Sequence, residues 1–188
     1  MFNHSRGLWG YTGVAADGAP LTVQATGMGG PSAAIVCEEL IALGARRLVR
    51  IGTCAALDES LPLGCLLAPE SVLALDGASS ALGARGPLRP DSALHARLLA
   101  AGASAGTVAS MDLFYDPADE ARTEGAVAVE METAAVLSVA ARHGVAAACV
   151  LGVARRADAN GAERLDGDEL EALGLSLGAA GYAALRCR

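Results

Sequence analysis

The regular alternation of short apolar runs with segments of helical period is the feature that most constrains how this chain can fold. Residues 48–51 and 145–153 are rich in Val, Ile, Leu and Ala, and glycine-rich turns separate such runs from segments whose apolar residues recur every three or four positions. Strands that alternate with helices along a chain pack as a sheet covered by helices. The sequence therefore predicts an α/β fold with a central β-sheet flanked by helices.

The same pattern predicts where the elements lie, within a single domain that spans residues 1–188. Residues 7–14 and 21–26 form a hairpin around Asp17-Gly18, because such a pair supplies the positive φ of a tight turn. A helix follows at 31–44, with Ser32 helping to cap it. The other predicted elements are strands at 48–51, 63–71, 107–110, 126–129 and 145–153 and helices at 91–101, 133–143 and 168–185. Residues 76–90, rich in Gly, Ala, Ser and Pro, are predicted to be a long loop.

Composition excludes several classes of protein. The chain has 14 basic residues, all of them arginine, against 21 acidic ones, and the net charge of −7 argues against nucleic acid as a partner. Its apolar runs are shorter than the roughly 20 residues that cross a bilayer, and no secretion signal precedes Gly13, so a cytoplasmic protein that binds no membrane is expected. Five cysteines without CxxC spacing and three scattered histidines indicate neither a disulfide framework nor a metal site.

Arg50 lies inside an otherwise apolar stretch, residues 48–53. A guanidinium group is costly to bury unless an anion or an acidic side chain meets it. Gly52 and Thr53 follow at the end of the predicted strand, where α/β proteins bind ligands, and they add a hydroxyl group and open backbone N–H groups. Phosphate suits this arrangement, because arginine offers paired donors to its oxygens. An edge-strand arginine that extends to solvent explains the pattern equally well.

Two further segments place polar groups at strand-to-helix junctions. Residues 26–32 form a glycine-rich turn that lets a ligand approach the backbone and the positive end of a helix dipole, although packing of a tight corner is the commoner reason for such a turn. Glu130 and Glu132 stand between an apolar strand and an apolar helix. The helix dipole accounts for one acidic residue there. The functional interpretation is that a carboxylate at this point accepts hydrogen bonds from the two neighbouring hydroxyl groups of a ribose.

Taken together in this order and spacing, these segments resemble the motifs of the nucleoside phosphorylase family, which comprises purine and uridine phosphorylases and related nucleosidases. The resemblance covers nearly the whole chain and is carried by residues 3–13, 26–32, 49–54, 110–115 and 129–133. It implies a mixed-sheet α/β fold of the nucleoside phosphorylase/hydrolase type. It also implies cleavage of the N-glycosidic bond of a nucleoside by inorganic phosphate, which gives the free base and ribose 1-phosphate without a cofactor or metal.

The resemblance further implies roles for individual residues. The implied phosphate-binding residues are Arg50, Thr53 and Arg6. The implied ribose-binding residues are Met28, Glu130, Met131 and Glu132. The implied base-binding residues are Phe114, Cys54 and Ala55. The implied catalytic residues are Glu132 and Arg50. Arg155 is a third catalytic candidate although it departs from the family pattern, because it can donate a hydrogen bond to a keto oxygen of the departing base. For Phe114 taken alone, ordinary core packing is the more common role.

Assembly is a further implication of the resemblance. Arg6 is similar to the arginine that family members contribute to the phosphate site of a neighbouring subunit. A homo-oligomer, either a dimer or a multiple of dimers, is therefore expected, with a nucleoside and phosphate as its small-molecule partners.

Three departures from the family pattern keep other activities open. Family members begin with a strand and a Gly-Asp-Pro-x-Arg phosphate loop, and no such segment precedes residue 3, so the chain is predicted to be N-terminally truncated relative to the family. Purine-type members carry Ser-Asp where this chain has Ala154-Arg155, and uridine-type members carry Gln-x-Arg where it has residues 118–120. Ala55 stands where many relatives have glycine. Purine nucleosides are favoured narrowly over uridine, and the alternatives are a nucleoside or nucleotide hydrolase and a catalytically silent nucleoside-binding relative.

Overall fold

The hairpin predicted near the start of the chain forms a separate two-stranded sheet. The structure, a computed structural model, describes residues 5–113, 123–156 and 163–186. Strand β1 (Gly10–Val14) pairs antiparallel with β2 (Pro20–Gln24). In the turn between them Gly18 has a φ of 81°, the left-handed conformation that favours glycine. The predicted turn at Asp17-Gly18 is therefore confirmed.

Five strands of the described chain close into a mixed barrel. They are β3 (Arg47–Ala56), β4 (Leu66–Ala74), β5 (Ser104–Ser110), β6 (Ala128–Glu130) and β7 (Ala146–Arg156). Their order around the barrel is β3-β6-β5-β4-β7. The pairs β3–β7, β4–β5 and β5–β6 are parallel, whereas β3–β6 and β4–β7 are antiparallel. The predicted mixed central sheet is confirmed, and the structure adds that this sheet closes on itself.

The described helices pack on these strands and on one another. They are α1 (Gly30–Ala42), α2 (Gly77–Ala81), α3 (Ser92–Ala100), α4 (Thr133–His143) and α5 (Gly167–Leu185). The Asp91 carboxylate accepts a hydrogen bond from the backbone N–H of Leu94 at the start of α3, which satisfies one of the free N–H groups of the first turn. Asp166 and Glu169 form a reciprocal capping box at the start of α5. None of the helices in the described residues is both long enough and apolar enough to cross a membrane.

Two of the three apolar clusters of the described residues hold α3, α4 and α5 to the barrel. One joins strand residues such as Leu67 and Leu151 to Leu137 of α4. The other joins Val150 of β7 to residues of α3 and α5 that include Leu98 and Leu173. Leu173 packs directly over the backbone of Gly152, because a Cβ atom at that position would lie 2.6 Å from the leucine Cδ2 atom. Glycine at this point is what allows α5 to approach β7 closely.

Some element boundaries differ from the predicted ones. Strand β3 does not end at residue 51 but continues to Ala56, since the small residues 52–56 pair with β7 and β6. The predicted loop at 76–90 contains the short helix α2, which Asp76 caps by accepting a hydrogen bond from Ser79 N. Ser32 does not cap α1, because its hydroxyl group donates to the carbonyl oxygen of Thr26 instead. These three differences do not alter the order of strands and helices.

Candidate active site

Arg50 lies in the middle of β3 with a side chain that is only 10% exposed. Its Nη2 atom forms an ion pair with Glu132 and lies 3.3 Å from Oε2 of Glu130. Its Nη1 atom donates to Sγ of Cys149, which is the residue opposite Arg50 on β7, at 3.6 Å. The prediction that a buried guanidinium needs acidic partners is confirmed. The alternative of a side chain that extends to solvent is wrong.

The shape of the Arg50 side chain depends on Gly52. A Cβ atom at Gly52 would lie 2.7 Å from Nη1 of Arg50 and 2.9 Å from its Cζ atom. The guanidinium group therefore folds back over the Gly52 backbone. Any larger residue at position 52 would displace the group from its present place.

The charge of Arg50 is strongly favoured by its surroundings. Burial disfavours the cation and by itself lowers the pKa of Arg50. The neighbouring Glu130, Cys149 and Glu132 more than offset burial, so that the pKa of Arg50 is raised above its ordinary value. Arg50 is consequently a permanent cation at the centre of the site.

Glu130 is the last residue of β6, and its side chain is completely buried. Its carboxylate accepts hydrogen bonds from the hydroxyl group of Ser110 and from the backbone N–H groups of Glu132 and Thr133, both at 2.9 Å to Oε2. The last two are free N–H groups at the beginning of α4. Glu130 is therefore the acidic residue that the helix dipole explains.

Glu132 is the N-cap residue of α4, but its side chain makes no capping hydrogen bond. Oε1 accepts from the backbone N–H of Gly29 at 2.6 Å, and Oε2 accepts from Arg50. Gly29 in turn is the N-cap residue of α1 and belongs to the glycine-rich turn. The structure thus brings together three segments that the sequence analysis singled out separately: the strand with Arg50, the glycine-rich turn and the acidic pair.

The other predicted site residues are less closely joined to this centre. Met28, next to Gly29, is 87% exposed, Thr53 is exposed and Met131 is half-buried. Arg6 is exposed in a short 3-10 turn. Phe114 lies outside the described residues. The binding roles of these five residues stay predictions.

The end of the barrel carries the remaining candidates. Cys54 and Ala55 are both buried, Cys54 among the apolar core residues, where burial raises the pKa of its thiol. Arg155 is half-buried and pairs with Ala55 in the β3–β7 ladder, which puts it at the same end of the two strands. The side chains of Cys54 and Ala55 therefore present little surface to a base, while Arg155 lies at the strand end where a base is predicted.

Three polar residues of this centre were missed by the sequence analysis. Cys149 accepts hydrogen bonds from Arg50 and, at 3.3 Å, from the hydroxyl group of Thr133. Ser110 lies opposite Glu130 in the β5–β6 pair. The register of the strands brings Cys149 and Ser110 to the site, whereas Thr133 is there because it follows Glu132 at the start of α4. Among the described residues, no group of three or more His, Cys, Asp or Glu side chains is arranged to hold a metal ion.

Comparison with known proteins identifies the family of this chain. A family model described as the phosphorylase superfamily matches residues 1–181. Three similar proteins, from Bacillus cereus, Bacillus thuringiensis and Bacillus mycoides, are named purine nucleoside phosphorylase DeoD-type. Each is 33% identical to this chain over 172 residues, a match that covers 81% of this chain and 70% of the relative. On the motifs, the fold and these matches, the chain belongs to the phosphorylase superfamily.

Proposed function

We propose that this protein is a nucleoside phosphorylase, which cleaves the N-glycosidic bond of a nucleoside with inorganic phosphate. The observation that carries the proposal is the contact between Arg50 and Glu132 beside the glycine-rich turn. The reaction needs a cation to bind phosphate and an anion to stabilise the sugar, and these two residues supply both at one point. Membership of the phosphorylase superfamily and the names of the relatives support the same activity.

Glu132 is proposed to bind the ribose hydroxyl groups. Positive charge develops on the sugar ring as the bond from C1′ to the base breaks, and a fixed carboxylate stabilises that charge. A carboxylate has about four acceptor positions, and Glu132 uses one for Gly29 N–H and one for Arg50. Two positions therefore remain for the two hydroxyl groups of a ribose. Met28 and Met131 are proposed to pack against the sugar.

Phosphate is proposed to bind at Arg50 and Thr53, with Arg6 contributed by a neighbouring subunit. One phosphate oxygen forms the new bond to C1′, and the electron pair of the broken C1′–N bond leaves with the base. Arg155 is proposed to donate a hydrogen bond to a keto oxygen of that base, which stabilises the departing anion.

The base itself is proposed to lie against Phe114, at the end of β3 where Cys54 and Ala55 contribute chiefly their backbone. We favour a purine over uracil, because the relatives named above are purine nucleoside phosphorylases. No cofactor is needed beyond phosphate as co-substrate, and a cytoplasmic location stays a prediction.

One observation favours hydrolysis as a second candidate. Arg50, Glu130 and Glu132 together have a formal charge of −1, because one cation faces two carboxylates. A phosphate dianion that enters this cluster meets like charges at short range, which disfavours binding unless another cation joins it. A water molecule is uncharged and meets no such repulsion. A nucleosidase that releases free ribose is therefore the alternative to phosphorolysis.

The decisive experiment is an assay of inosine and uridine with and without phosphate. Base release is followed by chromatography, and ribose 1-phosphate by phosphorus NMR. The phosphorylase predicts hypoxanthine and ribose 1-phosphate only when phosphate is present. Free ribose in phosphate-free buffer would establish the hydrolase instead. Nucleoside binding in a calorimeter without any base release over long incubation would indicate a catalytically silent relative.

A further inference from the structure

The two glutamates of the site differ in how many acceptor positions they have left. Glu130 receives hydrogen bonds from the Ser110 hydroxyl group and from the N–H groups of Glu132 and Thr133, and Nη2 of Arg50 lies 3.3 Å from its Oε2 atom. The N–H group of Thr133 also lies 3.1 Å from Oε1, so each carboxylate oxygen accepts two hydrogen bonds and the roughly four acceptor positions are filled, with Arg50 adding an ion pair. The Glu130 side chain is also fully buried, whereas that of Glu132 is 10% exposed. A sugar hydroxyl group has neither a free acceptor nor a path to Glu130.

We infer that Glu130 is a positioning residue, which holds Arg50 and Glu132 in place and does not itself bind the ribose. This inference rests on the proposed function only for what the positioned residues do. It separates two acidic residues that the family resemblance places together in the ribose site.

The contacts of Glu130 reach both charged groups of the site. Toward β3, its carboxylate faces the guanidinium group of Arg50. Toward α4, it accepts the N–H group of Glu132 itself and that of the next residue, so it fixes the backbone from which the Glu132 side chain extends. One carboxylate therefore sets the position of the cation and of the second anion. Loss of it would disturb both at once.

Ser110 fixes Glu130 in turn. Its hydroxyl group donates to Oε1 of Glu130 and accepts the backbone N–H of Ala134 at 2.9 Å, so a single side chain links β5, β6 and the first turn of α4. Ser110 is completely buried and touches neither Arg50 nor Glu132 through any hydrogen bond described in the structure. It offers a way to loosen Glu130 without removing its charge.

Substitution by glutamine tests the acceptor count directly. In Glu130→Gln one oxygen becomes an NH₂ group, which would face N–H and O–H donors and cannot accept from them. The matched control is Glu163→Gln, because Glu163 also pairs with an arginine, Arg156, but is exposed and has no described contact with Arg50 or Glu132. Ser110→Ala is the second variant, and circular dichroism identifies the variants that fold. If Glu130→Gln does not fold, Ser110→Ala decides the test.

The first measurement does not depend on enzymatic activity. Guanidinium ¹H–¹⁵N spectra, with the Arg50 signals assigned from Arg50→Lys, report how firmly that group is held. We expect separate, slowly exchanging Arg50 signals in the unmodified protein and in Glu163→Gln, and averaged or rapidly exchanging signals in Glu130→Gln and Ser110→Ala. Unchanged Arg50 signals in both site variants would overturn the inference. This measurement remains valid even if the protein cleaves no nucleoside, so failure of the proposed function is recognised separately.

The second measurement is the division of the effect between kcat and KM. Displacement of reacting groups by about 1 Å costs on the order of 10²-fold in rate. A positioning role predicts a fall in kcat of about 10- to 100-fold in Glu130→Gln, a smaller fall in Ser110→Ala, and a nucleoside KM within about threefold of the original. A large rise in nucleoside KM with kcat unchanged would mean that Glu130 binds the ribose directly, and would overturn the inference.

Discussion

Replacement of Glu132 by glutamine separates the charge of this side chain from its shape. Glutamine retains an acceptor oxygen for the N–H group of Gly29, which lies 2.6 Å from Oε1. It loses the negative charge that faces Arg50 and that is proposed to face the cationic sugar. The substitution therefore tests the ribose assignment with little change in packing.

The structural part of the effect can be worked out from the contacts. A hydrogen bond to a charged group contributes about 1.5–3 kcal/mol, and Glu132→Gln removes one such bond because the new NH₂ group faces Arg50 and cannot accept from it. Arg50 keeps Glu130 at 3.3 Å, so the larger cost of a buried charge left without any partner does not arise. For a chain of 188 residues each kcal/mol lowers Tm by about 2–4 °C, which gives a fall of about 3–12 °C.

The catalytic part should be much larger than the structural part. Loss of one preorganised electrostatic contact with a transition state costs on the order of 10²-fold or more in kcat. The assay is base release from the preferred nucleoside at 25 °C, where the variant is still folded. Glu163→Gln is the control, since the Glu163 side chain is 60% exposed and its pair with Arg156 contributes only about 0–1 kcal/mol. An unchanged kcat in folded Glu132→Gln would refute the placement of the ribose site.

Three other changes test separate parts of the structure. Gly52→Ala should displace the Arg50 guanidinium group, because the new Cβ would lie 2.7 Å from Nη1, and should reduce kcat by about 10²-fold. Gly174→Ala is the control and should leave kcat unchanged, since there is open space around Gly174. Burial, with a smaller effect of Glu38, raises the pKa of Cys37 from 9.0 to about 11. Between those pH values the free energy of unfolding, measured with urea, should therefore fall by about 3 kcal/mol relative to that of Cys37→Ala. A mixture of Arg6→Ala and Arg50→Ala chains should recover activity that neither has alone, because one site of a mixed pair keeps both arginines; a fully active monomer in sedimentation would contradict this.

The direction of the Cys37 effect on stability follows from the preference of a buried site for the neutral thiol. A buried thiol is favoured while it is protonated, so its contribution to stability is complete below the ordinary pKa and disappears as the pH rises through the raised value. Stability that is equally pH-dependent in Cys37→Ala would show that other groups are responsible.

The elements with strong local signals could be predicted from the sequence. The predicted helix at 133–143 coincides with α4, since Gly144 adopts a left-handed φ of 64° that ends the helix. The end of β3 could not be predicted, because Gly52, Ala55 and Ala56 have little strand preference of their own. Their strand conformation comes from pairing with β7 and β6. Helix α2 has five residues, too few to produce a periodic pattern.

The candidate site likewise has features that could be predicted from the sequence and features that could not. The sequence alone identified a buried arginine that needs an anionic partner, a glycine-rich turn and an acidic pair, because each is unusual within its own segment. The residues themselves did not show that these segments meet, which only the family resemblance implied, since the contacts run from β3 to α4 and from α4 to the turn before α1. The resemblance gave ribose binding to both Glu130 and Glu132 and catalysis to Glu132 alone, but the residues themselves, two positions apart and chemically identical, could not show which of them has acceptors left. Only the tertiary structure decided which carboxylate is filled with donors and which has acceptors left, because the donors Ser110, Arg50 and Gly29 come from elements that are distant along the chain.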